Sequence, residues 1–293
     1  MVEHTKQADE ENFPVASKLI LPELRPVIGA FYEFARTADD IADSPDIDGK
    51  EKRRMLDEME NVLRGKAEST EFSACAATLA AALEKRGMTP ETACDLLKAF
   101  RMDADNKTYE TFDELMVYCR YSAGSVGRFI LDLHKESPTT YLTSDALCAA
   151  LQLNNHLQDC RDDYINLKRV YLPTEWMKNE NLTPDILTQT AETPALRRVF
   201  DRMISGIDGL LTDATPLPMA IVGRGLRMEV RVIYSLARSL SNRLKKNDIL
   251  SEKVELKRVD WLKAFVFGVL GGLRRKKISC RIKTPPPLPK KSF

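Results

Sequence analysis

The chain has 293 residues, and its 44 basic and 43 acidic side chains almost cancel. That balance gives no general attraction to polyanions, so no nucleic-acid partner is expected. Hydrophobic residues make up 43% of the chain, which excludes a disordered chain and fits a globular one.

In chain order, the N-terminal MVEHTKQADEEN is polar and acid-rich. It has neither the apolar stretch of a signal peptide nor the Arg-rich character of a transit peptide, and the cytoplasm is the expected location. Leu24, Val27, Ile28 and Phe31 then recur at helical spacing, and the pattern runs on to Ile41. Asp43-Ser44-Pro45 should stop that helix. Further helical patterns cover about 50–64, 70–86, 89–105, 111–134, 143–166, 195–212, 219–245 and 256–273. Thr89-Pro90-Glu91-Thr92 and Thr143-Ser144-Asp145 read as helix starts, with a capping hydroxyl ahead of acidic residues. Breaks fall at Ser137-Pro138, Leu172-Pro173, Thr183-Pro184, Thr193-Pro194 and Pro216-Leu217-Pro218. No run of alternating β-branched residues appears. The expectation is an all-α, single-domain helical bundle over residues 1–273, whose interior can hold a site built from facing helices.

The six cysteines form no CxxC pair and only three histidines are present, which argues against zinc. Scattered through helical patterns, the thiols suit burial in a reducing compartment. The apolar run Phe265–Leu273 is too short to span a bilayer. Trp261, Leu262, Phe265, Val266, Val269 and Leu273 form an apolar stripe, followed by a tail at 274–293 with eight basic residues, no acidic one and several prolines. Residues 261–293 are thus a candidate membrane-contacting segment. A last core helix with a solvated basic end is the other reading.

Two acidic faces carry the chemistry. Tyr32, Arg36, Asp39 and Asp43 are spaced 4, 3 and 4 and share one helix face, with Asp40 off to its side. Gln152, Asn155, Asp159 and Asp163 are spaced 3, 4 and 4 and do the same. Carboxylates at i and i+4 repel, so such a pair inside a bundle needs a cation. A lone DxxxD on a helix is usually a solvated face. Two of them, each extended by polar residues and set in apolar sequence, point to a site. Oxygen-only ligands suit Mg²⁺, which prefers to share its shell with phosphate oxygens. His156 lies off the second stripe and reads as a core residue or a support for the site.

FYEFARTADDIAD, QLNNHLQDCRDDYINLKRVYLP and the intervening FRMDADNKTYETFDELMVYCRYSAGSVGR resemble the motifs of the squalene/phytoene synthase family, over roughly residues 12–245. The resemblance implies an isoprenoid-synthase-type bundle with a central cavity. It implies that Asp39, Asp43, Asn155, Asp159 and Asp163 hold Mg²⁺ and diphosphate. Tyr32, Arg36 and Gln152 would line the diphosphate end, Tyr118 would serve the carbocation steps, and Ser17 would contact substrate. Tyr234 is a candidate for a C-terminal substrate-contacting tyrosine. Ala123, Gly124, Ser125 and Gly127 would either make room for an isoprenoid chain or allow close helix packing. The wording of ENFPVAS, NNHLQDCRDDY and RVYLP is most similar to the branch that takes presqualene diphosphate and water to hydroxysqualene, without NADPH. Tyr118 and Tyr121 are candidates to position that water. Synthesis of presqualene diphosphate or phytoene, and a non-catalytic assembly role, are the alternatives. Oligomeric state is not legible.

Overall fold

The computed structural model describes residues 21–272, with side chains through residue 268. Ser17 and the tail at 274–293 lie outside the described residues. Helix α1 (Arg25–Asp43) is entered through a 3-10 turn at Pro22–Leu24. It ends as expected, because Pro45 forces Ser44 into an extended conformation (ψ 124°). Helix α2 (Gly49–Leu63) starts at Asp48, whose carboxylate accepts the Glu51 N–H. Helices α3 (Ala74–Glu84) and α4 (Glu91–Ala104) pack with α1 and α2. Helix α5 (Phe112–Cys119) passes through a π turn at Arg120–Gly124 into α6 (Ser125–Leu133). Helix α7 (Tyr141–Gln158) breaks at Asp159 (φ −102°, ψ 5°) and continues as the short α8 (Cys160–Asp162) and a π turn at Asp163–Leu167. There follow α9 (Thr174–Asn179), α10 (Pro194–Ala214), α11 (Leu217–Ala220), α12 (Arg224–Leu244) and α13 (Arg258–Gly272). The described residues contain no strand, in keeping with the all-α expectation.

Three local readings need correction. Helix α4 has Pro90 rather than a capping hydroxyl at its start, and no side chain caps it. Helix α7 begins earlier than Thr143, because Pro138 starts a 3-10 turn that leads straight into it. The helix expected over 219–245 is split at Ile221–Gly223. There the Glu136 carboxylate accepts the Val222 and Gly223 N–H groups at 2.8 and 2.7 Å, replacing helical partners.

Among the described residues the bundle has two large apolar cores, and a small cluster of Val232, Leu236 and Ala264 joins α12 to α13. One gathers α1 to α4, with Phe34, Leu56, Met59 and Leu97 at its centre and Phe31 stacked on Phe129 at 3.9 Å. The other gathers Leu153, Phe200, Met203 and Leu240 from α7, α10 and α12. Helices α4 and α6 serve both, since Leu97 and Ala99, or Phe129 and Leu131, face opposite cores. The spacing of α6 and α7 is set at Gly127. A Cβ there would stand 2.5 Å from Cys148 Sγ and 2.8 Å from Ser144 Oγ. Gly127→Ala should therefore push the helices apart and destabilise the protein by about 1–3 kcal/mol, measured by urea unfolding.

Candidate active site

A cavity of about 490 Å³ lies among α1, α4, α6, α7 and α12, within the size range of small-molecule sites. Its walls include Ile28 and Phe31 from the first core and Leu147, Leu226 and Val230 from the second. Most of the polar residues come from α1, from the C-terminal parts of α4 and α7 and from the segment after α8, with Tyr118 from α5, Ser122 from the π turn, Ser144 from the start of α7 and Glu229 from α12.

The first stripe stands as its spacing requires: Tyr32, Arg36, Asp39 and Asp43 all line the cavity. Arg36 donates through Nη1 to Asp39 Oδ2 and through Nη2 to Asp40 Oδ1, each at 2.7 Å. Asp40 is buried and lies off the cavity wall, where it anchors the back of the guanidinium. Burial, then the neighbouring Asp43 charge, pushes the Asp39 carboxyl up to about 7, against the pull of Arg36.

The second stripe also lines the cavity, as Gln152, Asn155, Asp159 and Asp163. It is not one continuous helix face, since α7 ends at Gln158 and Asp163 opens the π turn. Gln152 Nε2 lies 3.1 Å from His156 Nε2, and His156 Nδ1 lies 3.9 Å from Asp163 Oδ2. His156 is itself a cavity residue, stacked on Tyr171 at 3.6 Å.

Between the stripes sits a group that the sequence reading did not single out. Asp103, buried at the end of α4, accepts the Tyr118 hydroxyl on Oδ2 at 2.9 Å and the Tyr171 hydroxyl on Oδ1 at 2.7 Å. Burial raises the Asp103 carboxyl above the usual range, opposed by Arg169 and by the two phenols. Burial, followed by the Asp103 charge, also pushes both phenols well above 10, so they stay neutral. Arg169 was likewise missed. It is buried, donates from Nη1 to Asp43 Oδ1 at 2.5 Å, and donates from Nη2 to the Ala42 carbonyl at 2.9 Å. Lys52 Nζ donates to that same carbonyl at 2.8 Å. Arg169 and Tyr171 stand inside the RVYLP string. Asp103 continues the α4 stripe of Leu96, Ala99 and Phe100 along the cavity wall, a periodicity that could have found it.

Tyr121 and Tyr234 are not brought to the cavity. The Tyr121 ring lies under Lys98 and Arg120, and the Tyr234 hydroxyl is 3.1 Å from Thr215 Oγ1. Of the small residues, Ala123 and Gly127 line the wall, and Gly127 also serves close packing.

The donor set fits Mg²⁺. Asp39, Asp43, Asn155, Asp159 and Asp163 offer only oxygen, and the raised Asp39 shows a place where positive charge is wanted. Among the described residues, no three His, Cys, Asp or Glu side chains form a ready-made cage.

A family model described as squalene/phytoene synthase matches residues 6–262. The chain belongs to the squalene/phytoene synthase family. It is 46% identical over 253 residues to the hydroxysqualene synthase of Rhodopseudomonas palustris, covering 86% of each chain. It is 42% identical over 259 residues to that of Zymomonas mobilis, covering 88% of this chain and 86% of the relative. The crystal structure of a squalene synthase from Alicyclobacillus acidocaldarius superposes with a TM-score of 0.68 at 26% identity, over 79% of this chain and 87% of that one. A ligand-bound dehydrosqualene synthase shares the fold, with a TM-score of 0.72 at 23% identity over 86% and 88%. The protein is thus a prenyl-diphosphate-processing enzyme with the all-α isoprenoid-synthase fold.

The raised Asp39 carries a stability consequence. Between pH 3.8 and about 7 the folded, metal-free chain holds a proton that the unfolded chain has released, so stability falls as pH rises through that window. The Asp39 side chain is 36% exposed, so cavity water screens part of the effect. Asp39→Asn should raise the Tm of EDTA-treated protein at pH 8 by about 2–4 °C, the shift for a discounted ~1 kcal/mol, and the gain should vanish near pH 4.

Proposed function

We propose that this chain converts presqualene diphosphate and water into hydroxysqualene and diphosphate. The observation that carries this reading is the 42–46% identity to three hydroxysqualene synthases over 86–88% of the chain. Matches to phytoene synthases stand at 27–30% over shorter stretches.

In this reading the polar end of the cavity takes the diphosphate. Asp39, Asp43, Asn155, Asp159 and Asp163 hold Mg²⁺, which supplies charge neutralisation to the departing diphosphate. Arg36 and Arg169 stand beside those acids, and their planar forks match phosphate oxygens. Tyr32 and Gln152 line the same end and orient the headgroup. The apolar remainder, with residues such as Phe31, Leu147 and Val230, houses the isoprenoid chains and keeps bulk water from the carbocation. Tyr118 and Tyr171 present neutral phenols to the cation, whereas ionised ones would be alkylated.

The same reading places the enzyme on a lipid surface. No described helix is long and apolar enough to cross a membrane. Helix α13 packs on α12 through its small residues: Ala264 is buried, and a Cβ on Gly268 would stand 2.4 Å from Val232 Cγ2. Leu262, Phe265, Val266 and Phe267 are left exposed, at 64, 57, 46 and 54%. Of the stripe, the described residues Trp261, Leu262, Phe265 and Val266 therefore do not point into the core. An apolar face followed in sequence by eight basic residues and no acidic one matches an anionic bilayer, the natural reservoir for such a substrate and product.

Two measurements test these proposals. Purified protein with Mg²⁺ and presqualene diphosphate should yield hydroxysqualene, and Asp159→Asn should cut diphosphate release by about 10²-fold or more. Turnover of farnesyl diphosphate with none of presqualene diphosphate would overturn the reading. In vesicle co-sedimentation, the Leu262→Ser/Phe265→Ser double variant should lose binding to phosphatidylglycerol-rich membranes while keeping its melting curve. Undiminished binding would reject the α13 surface.

A further inference from the structure

Capture of a carbocation by water needs more than a water molecule. As the new C–O bond forms, one O–H bond of the water must break, and the proton must be accepted near the cation. The diphosphate is one acceptor. The cavity wall contains another, between the two acidic stripes and distinguished from them by its phenol partners.

We infer that Asp103, acting through the hydroxyls of Tyr118 and Tyr171, holds the capturing water and takes up its proton. This inference rests on the water-capture reading. Asp103 uses each carboxylate oxygen for a different phenol, Oδ1 for Tyr171 and Oδ2 for Tyr118. Both phenolic hydrogens are therefore committed to the carboxylate, which leaves the phenolic oxygens as acceptors. A cavity water that donates to one of these oxygens turns a lone pair toward the cation. As the C–O bond forms, the water proton moves to the phenolic oxygen and the phenolic proton moves to Asp103. Charge and atoms balance without any further reactant: a cation, water and a carboxylate become an alcohol and a carboxylic acid.

The geometry of the cluster favours this role over mere packing. All three residues line the cavity. The phenols are held rigidly, with Tyr118 and Tyr171 ring centroids 5.3 Å apart and Tyr171 stacked on His156. Burial makes Asp103 a better proton acceptor than an exposed carboxylate, and Arg169 tempers its charge while the acceptor is still ionised. Phenols fixed in this way would hold a water in one direction, which favours attack at a single carbon.

The test compares two readouts on presqualene diphosphate with Mg²⁺. Diphosphate release reports ionisation, and the hydroxysqualene fraction among all products reports directed capture. In the parent enzyme hydroxysqualene should dominate; its absence would reject the function proposed above, not the relay alone. Asp103→Asn and Tyr171→Phe should each retain diphosphate release within about tenfold. Each should lower the hydroxysqualene fraction by about tenfold or more, in favour of eliminated hydrocarbons and isomeric alcohols, and Asp103→Glu should restore part of it. An unchanged hydroxysqualene fraction in both variants would overturn the inference and assign the proton to diphosphate. A parallel fall of both readouts would also overturn it, because a structural cluster behaves that way. If Asp103→Asn lacks a cooperative melt, Tyr171→Phe decides alone.

Discussion

Helices α1, α4 and α7 bring their negative ends to one end of the same cavity, and the rest of the site depends on that convergence. A helix C-terminus carries roughly half a negative charge and normally attracts Lys or Arg. Here the final residues are acids instead: Asp43 closes α1, Asp103 lies in the last turn of α4, and Asp159 follows α7 directly. The interaction among Asp39, Asp43 and Asp103 measures how close these ends come. Such an arrangement is stable only with positive charge brought to it. Arg36 supplies some from within α1, and Arg169 supplies more from the segment after the π turn. Arg169 and Lys52 also meet at the Ala42 carbonyl, at the negative pole of α1. Buried pairs of this kind add little net stability, because desolvation offsets most of the attraction. Their effect is geometric: they keep acids and guanidinium forks beside each other at the place where a metal and a diphosphate would exchange partners with them.

The stripes were legible because helical spacing is a local rule. Tyr32, Arg36, Asp39 and Asp43 share one unbroken helix, so 4, 3 and 4 residues sufficed to place them. The second stripe kept its cavity position for a less regular reason, since the chain breaks at Asp159 and resumes as a π turn. Nothing in the spacing of Asn155, Asp159 and Asp163 announces that break. Asp103 was harder to see because it is the one acid of its stripe on α4, and Arg169 and Tyr171 because they share a segment outside any helix, where no periodicity applies. Their meaning is tertiary: Asp103 matters through Tyr118 fifteen residues away and Tyr171 sixty-eight away. Helix boundaries failed at local prolines, as at Pro138, and where a distant side chain replaced a helical partner. Glu136 splitting the helix expected over 219–245 is the clearest case of the second kind, because Gly223 only weakens the helix locally and nothing nearby in sequence reports the carboxylate that replaces its partners.

The two cores explain why the cavity survives folding. A single core would collapse around a void of this size, since each unfilled volume loses dispersion contacts on its walls. In this bundle α1 to α4 and α7 to α12 are each packed on their own apolar interior, and α4 and α6 tie the two together. The space between them is then fixed by helix separations rather than by the side chains that line it. Gly127 sets one of these separations by letting α6 approach Cys148 and Ser144 on α7. The wall facing that space can consequently be chosen for chemistry.

That freedom accounts for the division of labour along the cavity. A carbocation is drawn toward negative charge, yet a bare carboxylate in contact with it would trap it as an ester. Asp103 avoids this by standing behind two phenols that occupy both its oxygens. Its charge reaches the cavity through polarised hydroxyl groups, not through an exposed nucleophile. Asp39 and Asp43 are restrained differently, by Arg36 and Arg169. The same residue type therefore meets the cavity in two states, screened by cations where a diphosphate is proposed to leave and by phenols where a cation is proposed to be quenched. The local partners, rather than the number of carboxylates, separate ionisation from capture.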